Sequence, residues 1–223
     1  MMHEPADSLN LSAIALFPLP NVVLFPRAVL PLHVFEFRYR LMTAEVLQGA
    51  GLIAMALLKP GWEKQYHDRP AIEPVVCVGQ ILRYEELDDG KYNLLLQGVL
   101  RATIDREYAD RPYRYASMNR LPEKSAPESD LIRQRARLLE LFSAPPLEGL
   151  PISSQIRELL AGPLATPEVA DLIAFHFVEP LATQQAVLSE GDVRARVQLV
   201  LDVMESQLPY RAIFRPDDRA QWN

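Results

Sequence analysis

The prolines near the start of the chain restrict its fold more than any other feature. Pro18, Pro20, Pro26 and Pro31 lie within 14 residues, inside the strongly apolar segment 16–42. Each proline would delete a hydrogen bond within a helix, whereas extended backbone accepts proline at strand ends and sheet edges. The segment is therefore predicted to form short strands. Because these strands are apolar on both sides, they indicate a closed barrel or a sandwich.

The same segment does not have the pattern of a membrane anchor or an export signal. It contains no uninterrupted apolar run near the ~20 residues that a spanning helix needs. The first ten residues hold two acids and no lysine or arginine, the reverse of a signal peptide. With Cys77 as the single cysteine, the sequence predicts a cytoplasmic protein without disulfides and without a membrane partner.

Short apolar runs between turn residues predict the strands of the barrel. The expected strands cover residues 13–17, 22–25, 29–34, 52–58, 75–87, 91–106 and 113–121. Asp89-Gly90 is a favoured dipeptide for the turn of a hairpin. Gly79 and Gly98 lie in the middle of the two hairpin arms and indicate bulges, which a small barrel needs in order to close.

One helix is expected within the barrel, over about residues 36–48, because the apolar period changes to a helical one. Its inward face is predicted to consist of Phe37, Leu41, Ala44 and Leu47. Glu36 and Arg40 are spaced for an i,i+4 ion pair. The charged and aromatic cluster of Glu36, Arg38, Tyr39 and Arg40 favours ion pairs and hydrogen bonds that hold the helix to the barrel, with a binding role as the alternative.

Beyond Pro122 the pattern becomes helical. The polar segment 123–130 is a plausible boundary, which gives two expected domains, 1–122 and 123–223. Thr166 and Asp192 are predicted helix N-caps. The inward positions of the helices include Leu131, Ile132, Arg135, Leu138, Ile156, Val169, His176, Phe177, Val197 and Met204. The predicted fold class is α+β, a mixed β-barrel with one embedded helix followed by a helical bundle.

The residues of the chain show no pattern that predicts catalysis. The sequence lacks a Walker loop, a G-x-S-x-G elbow, an H-E-x-x-H pair and a C-x-x-C pair. The four histidines lie in separate segments, so no metal site and no cofactor is expected. His176 on an apolar helix face and Cys77 within a strand are both expected to pack in the core. We therefore predict a protein that is not an enzyme.

The best candidate for a binding site is the polar loop 59–72. It carries Trp62, Tyr66, His67 and Arg69, residue types that are enriched in binding hot spots. We predict that these four residues contact a partner, and the alternative is that Trp62 folds back to cover an end of the barrel. Nucleic acid is a less favoured partner, because the net charge is −6 and the chain has no basic block.

Two segments resemble a known family. LFPLPNVVLFPRAVLPLHVFEFRYRLM (16–42) and VGQILRYEELDDGKYNLLLQGVLRATI (78–104) are similar to the opening signature and the hairpin of the N-terminal, substrate-recognition domain of Lon proteases. The main departure is Phe37, where the family pattern usually has proline. The segment 171–208 resembles the helical extension of the family more loosely, so the resemblance spans most of the chain.

The resemblance implies a PUA-like pseudo-β-barrel followed by a helical subdomain. In full-length Lon proteases an ATPase module and a serine–lysine peptidase domain follow. This sequence has no Walker motif, so a stand-alone protein is expected. The implied function is non-enzymatic binding of a polypeptide or protein partner, through unfolded or apolar segments. The alternatives are RNA binding, since PUA-like barrels elsewhere handle RNA, and a hydrolase with an unfamiliar site.

Overall fold

The structure is a computed structural model of the 223-residue chain and describes residues 9–65 and 69–211. It divides into two compact units. The sheet unit runs to Pro122 and includes Glu179–Ser189, and the helical unit consists of Glu123–Val178 and the chain from Glu190 onward. The domain limits expected from the sequence, 1–122 and 123–223, stay a prediction.

Six strands and six α-helices form the described parts of the two units. The strands are β1 (Ile14–Leu19), β2 (Val29–Val34), β3 (Leu52–Leu57), β4 (Val75–Glu86), β5 (Tyr92–Tyr108) and β6 (Arg114–Arg120). The helices are α1 (Phe37–Leu47), α2 (Ile132–Phe142), α3 (Pro151–Ala161), α4 (Thr166–Phe177), α5 (Leu181–Ser189) and α6 (Val193–Arg211). Short 3-10 helices cover Trp62–Gln65 and Glu128–Asp130.

The six strands form a sheet that closes on itself. Their order is β2-β5-β4-β3-β1-β6, and a further pairing of β5 with β6 closes the ring. β5 has 17 residues, which is long enough to pair with β2 through one half, with β6 through the other, and with β4 along most of its length. The predicted α+β pseudo-barrel, with an embedded helix and helices after it, is confirmed.

Each proline lies where it breaks no ladder. In β1, the pairing with β6 ends at Leu16, so Pro18 lies beyond it and pairs only with Ala56 of β3. Pro31 lies in β2, an edge strand that pairs only with β5. A missing N–H can face the open side of a strand at such positions. The prediction that this segment is extended is correct for β1 and β2.

The expected strand over 22–25 is wrong. These residues form an irregular segment, followed by an isolated bridge between Pro26 and Gly98. The segment approaches β5 so closely that a Cβ at Gly98 would lie 2.0 Å from the Phe25 carbonyl oxygen. Gly98 is therefore required by contact, and the pairing of β4 with β5 shifts register beside it, as the glycines predicted.

The core of the sheet unit is apolar and comes from five strands. Leu16, Ala54, Val76, Leu100 and Ala116 each contribute a buried side chain from a different strand of the ring. The apolar residues that flank them along the strands complete one cluster. Helix α5 adds to this unit, because Gln185 Nε2 donates to the Val75 carbonyl of β4 at 2.9 Å and Arg101 Nε donates to the Leu188 carbonyl at 3.1 Å.

Helix α1 buries a different face from the predicted one. Its buried residues are Tyr39, Met42 and Thr43, and Phe37 is 68% exposed. The Tyr39 ring packs on Phe17 of β1, with ring centroids 4.4 Å apart, and this contact turns Phe37 outward. The prediction of Phe37 as an inward residue is wrong.

The charged residues at the start of α1 hold it in place, although with other partners than expected. Glu36 pairs with Arg38 at 3.0 Å, whereas Arg40 Nε donates to the Gly90 carbonyl at 2.6 Å. Gly90 has a positive φ of 73° in the hairpin turn. Arg40 therefore ties the helix to the hairpin, which agrees with the structural role predicted for this cluster.

In the helical unit, two predictions about helix ends and faces need correction. Ile132 is 63% exposed, because α2 buries Leu138, Leu141 and Phe142 instead. Thr166 is the first residue of α4 and not its N-cap, which is Ala165. Both the backbone N–H and the hydroxyl of Thr166 donate to the Glu128 carboxylate at 2.7 Å, so a distant acid satisfies this helix start.

Asp192 is an N-cap as predicted. Its carboxylate accepts hydrogen bonds from the backbone N–H groups of Arg194 and Ala195 at the start of α6. Val193, Val197 and Met204 are buried on the predicted face of this helix. The sequence signals therefore located this helix correctly.

Candidate functional site

The loop 59–72 is closed at its base by backbone hydrogen bonds. Lys59 N–H donates to the Ala71 carbonyl at 2.9 Å, and Glu73 N–H donates to the Leu57 carbonyl at 2.8 Å. Leu58 and Ile72 form an isolated bridge beside them. The loop thus extends from a fixed stem between β3 and β4.

The structure places two of the four predicted binding residues. Trp62 is half-buried in the 3-10 helix, and Arg69 is exposed near the end of the loop. Tyr66 and His67 lie outside the described residues. Trp62 and Arg69 line two different cavities, and Leu58 lines both of them. A binding role for the four residues stays a prediction.

The first cavity is a groove of about 500 Å³ between the loop and α5. We call it the Trp62 groove, and its lining residues are Pro20, Leu57, Leu58, Pro60, Trp62, Glu73, Leu181, Ala182, Gln185, Ala186 and Ser189. Most of these side chains are apolar. Trp62 is therefore a wall of an open groove, and it remains partly exposed there.

The second cavity has about 390 Å³ and is unusually rich in arginine. We call it the arginine cavity, and its lining residues are Pro18, Arg38, Tyr39, Leu58, Arg69, Pro70, Arg111, Pro112, Tyr113 and Arg114. Four guanidinium groups around one cavity contrast with the net charge of −6 of the chain. Local charge here is opposite to the overall charge.

Two of these arginines, Arg114 and Arg38, each contact more than one neighbouring group. Arg114 donates through Nε and Nη2 to the Glu107 carboxylate and through Nη1 to the Pro70 carbonyl at 2.6 Å. Arg38 pairs with Glu36 and lies over the Tyr39 ring at 4.7 Å. These contacts fix the positions of both side chains.

The other two arginines keep donors available. Arg69 Nη1 donates to the Tyr108 carbonyl at 2.8 Å, and its Nε and Nη2 meet no acceptor within the described part of the chain. Arg111 Nη1 contacts Glu45 at 3.1 Å and the Tyr113 hydroxyl at 2.5 Å. Within the same described residues, Nε and Nη2 of Arg111 likewise have no acceptor. Free guanidinium N–H groups in a cavity can bind an oxyanion.

Aromatic contacts and charge keep Arg111 in its cationic form. Its guanidinium lies 4.6 Å from the centre of the Tyr115 ring. The hydrogen bond with Tyr113 raises the pKa of Arg111 above its ordinary value. Burial, and then the Glu45 hydrogen bond, raise the pKa of Tyr113, so its phenol keeps its proton and donates to Glu45 at 2.6 Å.

The residues considered for catalysis line neither of these cavities. Cys77 is fully buried in β4, with Sγ 3.7 Å from the Val78 carbonyl oxygen. The prediction of His176 as a core residue is wrong, because it is exposed at the end of α4 beside the Phe175 ring. Tertiary packing turns this face of α4 outward while Ile173 and Phe177 are buried.

The described residues lack two features, a cluster of metal-ligating side chains and a membrane-spanning helix. They contain no cluster of three or more histidine, cysteine or acidic side chains able to hold a metal ion. Among the helices that the structure describes, none is both long and apolar enough to cross a membrane.

Sequence reasoning missed a set of exposed apolar side chains and most of the arginine cavity. Phe35 is 59% exposed beside Phe37, and exposed apolar side chains on β2, β4 and β5 include Val29, Tyr84 and Leu95. The only sequence feature that points to Phe35 and Phe37 is the phenylalanine at position 37, where the family pattern usually has proline. The arginine cavity gave no signal, because its residues come from five separate segments.

A closed mixed sheet with an embedded helix, followed by a helical unit, defines the class of protein as a pseudo-barrel domain with a helical extension. A family model described as the ATP-dependent protease La (LON) substrate-binding domain matches residues 13–206. The chain belongs to this family.

Solved structures and curated relatives agree. The N-terminal domain of a Lon protease of the Mycobacterium avium complex has a TM-score of 0.69 at 16% identity, covering 88% of this chain and 100% of that one. A Lon N-terminal domain protein from Xanthomonas campestris has a TM-score of 0.63 at 20% identity, covering 86% and 98%. At such identities these matches show the fold.

The curated relatives are much longer than this chain. Lon protease 2 of Sorangium cellulosum is 27% identical over 214 residues, which cover 90% of this chain and 25% of the relative. The Lon protease of Azorhizobium caulinodans is 28% identical over 202 residues, covering 86% and 22%. The chain thus spans about a quarter of the length of these proteins.

Proposed function

We propose that this protein is a non-enzymatic binding module for polypeptides, and that the Trp62 groove holds apolar side chains of the bound chain. The observation that carries the proposal is membership of a family described as a substrate-binding domain, over residues 13–206. The substrates of a protease are polypeptides. The cytoplasmic location belongs to this proposal.

The chemistry of the groove supports a polypeptide ligand. Its walls combine aliphatic side chains, prolines and one tryptophan, with Glu73, Gln185 and Ser189 as polar groups. Apolar sites with a few polar groups bind apolar side chains and orient the attached backbone. Tryptophan is among the residues whose truncation weakens binding most.

The test is the binding of a permanently unfolded polypeptide. Reduced and alkylated α-lactalbumin, labelled with fluorescein, is titrated with the protein and followed by anisotropy. We expect saturable binding, and we expect Trp62→Ala to weaken it by about tenfold or more, as for a hot-spot residue.

Phe37→Ala is the matched control, because it truncates an aromatic side chain that is 68% exposed and does not line the groove. Circular dichroism confirms that both variants are folded. Absence of saturable binding by the wild-type protein would refute the function. Binding that Phe37→Ala weakens and Trp62→Ala leaves intact would place the site on the other exposed apolar surface.

A further inference from the structure

We propose that the arginine cavity binds a carboxylate of the same polypeptide whose apolar side chains occupy the Trp62 groove. This inference rests on the proposed function and adds a chemical requirement to the ligand. An acidic group must lie close to an apolar residue in the bound chain.

The first argument is the set of available donors. Arg69 and Arg111 each line the cavity and each keep Nε and Nη2 without an acceptor in the described part of the chain. Guanidinium groups bind carboxylates through two parallel N–H···O bonds. The contacts of Arg69 with the Tyr108 carbonyl and of Arg111 with Glu45 orient these groups before a ligand arrives.

The second argument is the balance of charge. Three of the four arginines already have a carboxylate partner, since Arg38 pairs with Glu36, Arg111 with Glu45 and Arg114 with Glu107. Arg69 forms no ion pair with any described residue. The Tyr115 hydrogen bond first, and then the charges of Arg111 and Arg69, lower the pKa of Asp110, but Asp110 forms no ion pair with either arginine among the described residues. One further carboxylate would therefore give Arg69 a direct acidic partner.

The same balance favours a carboxylate of a polypeptide over the phosphates of RNA. A nucleic acid would bring several negative charges close to the three glutamates that pair with arginines of the cavity, and like charges at short range repel each other. A single acidic side chain, or the carboxylate at the end of a chain, adds only one charge. A cavity of about 390 Å³ has room for such a group.

The third argument is the position of the two cavities. Leu58 lines both the Trp62 groove and the arginine cavity. Trp62 and Arg69 come from the same loop, whose stem is closed by the hydrogen bonds of Lys59 and Glu73. The two cavities therefore adjoin one shared residue, and an extended polypeptide that passes Leu58 would contact both of them.

The experiment compares three short fluorescein-labelled peptides that share one apolar sequence without tryptophan. The first has a central aspartate and an amidated C-terminus, the second has asparagine instead, and the third is the asparagine peptide with a free C-terminal carboxylate. We expect the wild-type protein to bind the aspartate peptide about three- to fivefold more tightly than the amidated asparagine peptide, as for a partly exposed ion pair.

Arg69→Gln should reduce this ratio to about one while the asparagine peptide keeps its affinity. The variant should fold, because the described contact that it removes is a single hydrogen bond to a carbonyl. Arg111→Gln serves as the second variant. Arg83→Gln is the matched control, because Arg83 is exposed on β4 and does not line the cavity.

The outcomes separate this inference from the proposed function. If the wild-type protein binds none of the peptides, both fail. If it binds the aspartate and asparagine peptides equally, or if both arginine variants keep the preference, the carboxylate inference alone is overturned. A preference for the third peptide that Arg69→Gln removes supports the inference and assigns the carboxylate to the chain end. Binding of a single-stranded RNA that Arg69→Gln abolishes, without a carboxylate preference, would overturn it.

Discussion

In the helical unit the Arg135 guanidinium donates to five acceptors, whereas in the sheet unit Arg69 donates to one. Four of the five acceptors of Arg135 are carbonyl oxygens at and beyond the end of α3. The last carbonyls of a helix lack donors from a following turn, and of these four Leu159 also accepts from the Gly162 N–H at 3.3 Å. Arg135 thus stabilises the end of α3. Arg69 lines the arginine cavity, and its Nε and Nη2 have no acceptor in the described part of the chain.

Arg196 extends the comparison. It is 2% exposed in α6 and lies 3.5 Å from the Asp171 carboxylate of α4, which is 3% exposed. Its further contacts include the Glu123 carboxylate and the Glu190 carbonyl. The comparison teaches that an arginine with many acceptors, such as Arg135 or Arg196, holds helices together, whereas Arg69, with one described acceptor, is the kind of arginine for which we propose a ligand.

The largest expected effect is the loss of the buried ion pair. Arg196→Met removes the cation opposite the buried Asp171 carboxylate, and we expect the free energy of unfolding to fall by about 3–5 kcal/mol. Urea unfolding followed by circular dichroism measures it. Arg194→Met in the same helix is the control, since Arg194 pairs with Asp130 at the surface and should lose at most ~1 kcal/mol. Equal losses would contradict the internal role of Arg196.

The next effect concerns Arg135. Arg135→Met leaves the carbonyls at the end of α3 without their donor, and we expect a loss of about 2–3 kcal/mol, because several hydrogen bonds to one charged group disappear together. Arg137→Met is the control in the same helix, where the ion pairs with Glu140 and Glu205 are exposed. A loss for Arg135→Met as small as that for Arg137→Met would refute its structural role.

The smallest effect on stability is expected in the arginine cavity. Arg69→Gln should change the free energy of unfolding by less than about 0.5 kcal/mol, because exposed contacts contribute little. The same urea titration measures this change beside the peptide binding described above. A loss comparable to that of Arg135→Met would show that Arg69 is structural, and the contrast between the two units would disappear.

The strands of the barrel could be predicted from the sequence because their signals are local. Prolines as closely spaced as those of residues 18–31 exclude a helix interior, and Asp89-Gly90 marks its turn without reference to the rest of the chain. The prediction of a strand over 22–25 is wrong because these apolar residues are buried without forming backbone pairs with a neighbouring strand. Apolar composition predicts burial, and it does not predict which backbone partner is present.

The two cavities could be predicted only in part. Trp62 and Arg69 were recognised as residue types suited to binding, but their separation into two cavities depends on α5, which packs against β4 from the distant segment 181–189. Helical periodicity shows which face of a helix is apolar. It does not show which part of the protein covers that face. Phe37 and His176 were assigned to the core for the same reason, and both are exposed.

The most direct measurement of the central claim is the fluorescence of Trp62 during binding. The sequence contains two tryptophans, so a Trp222→Phe protein emits from Trp62 alone. Titration with the aspartate peptide should shift this emission to shorter wavelength, with the same midpoint as the anisotropy of the labelled peptide, because an apolar side chain replaces water in the groove. Saturable binding of the peptide with unchanged Trp62 emission would contradict the account.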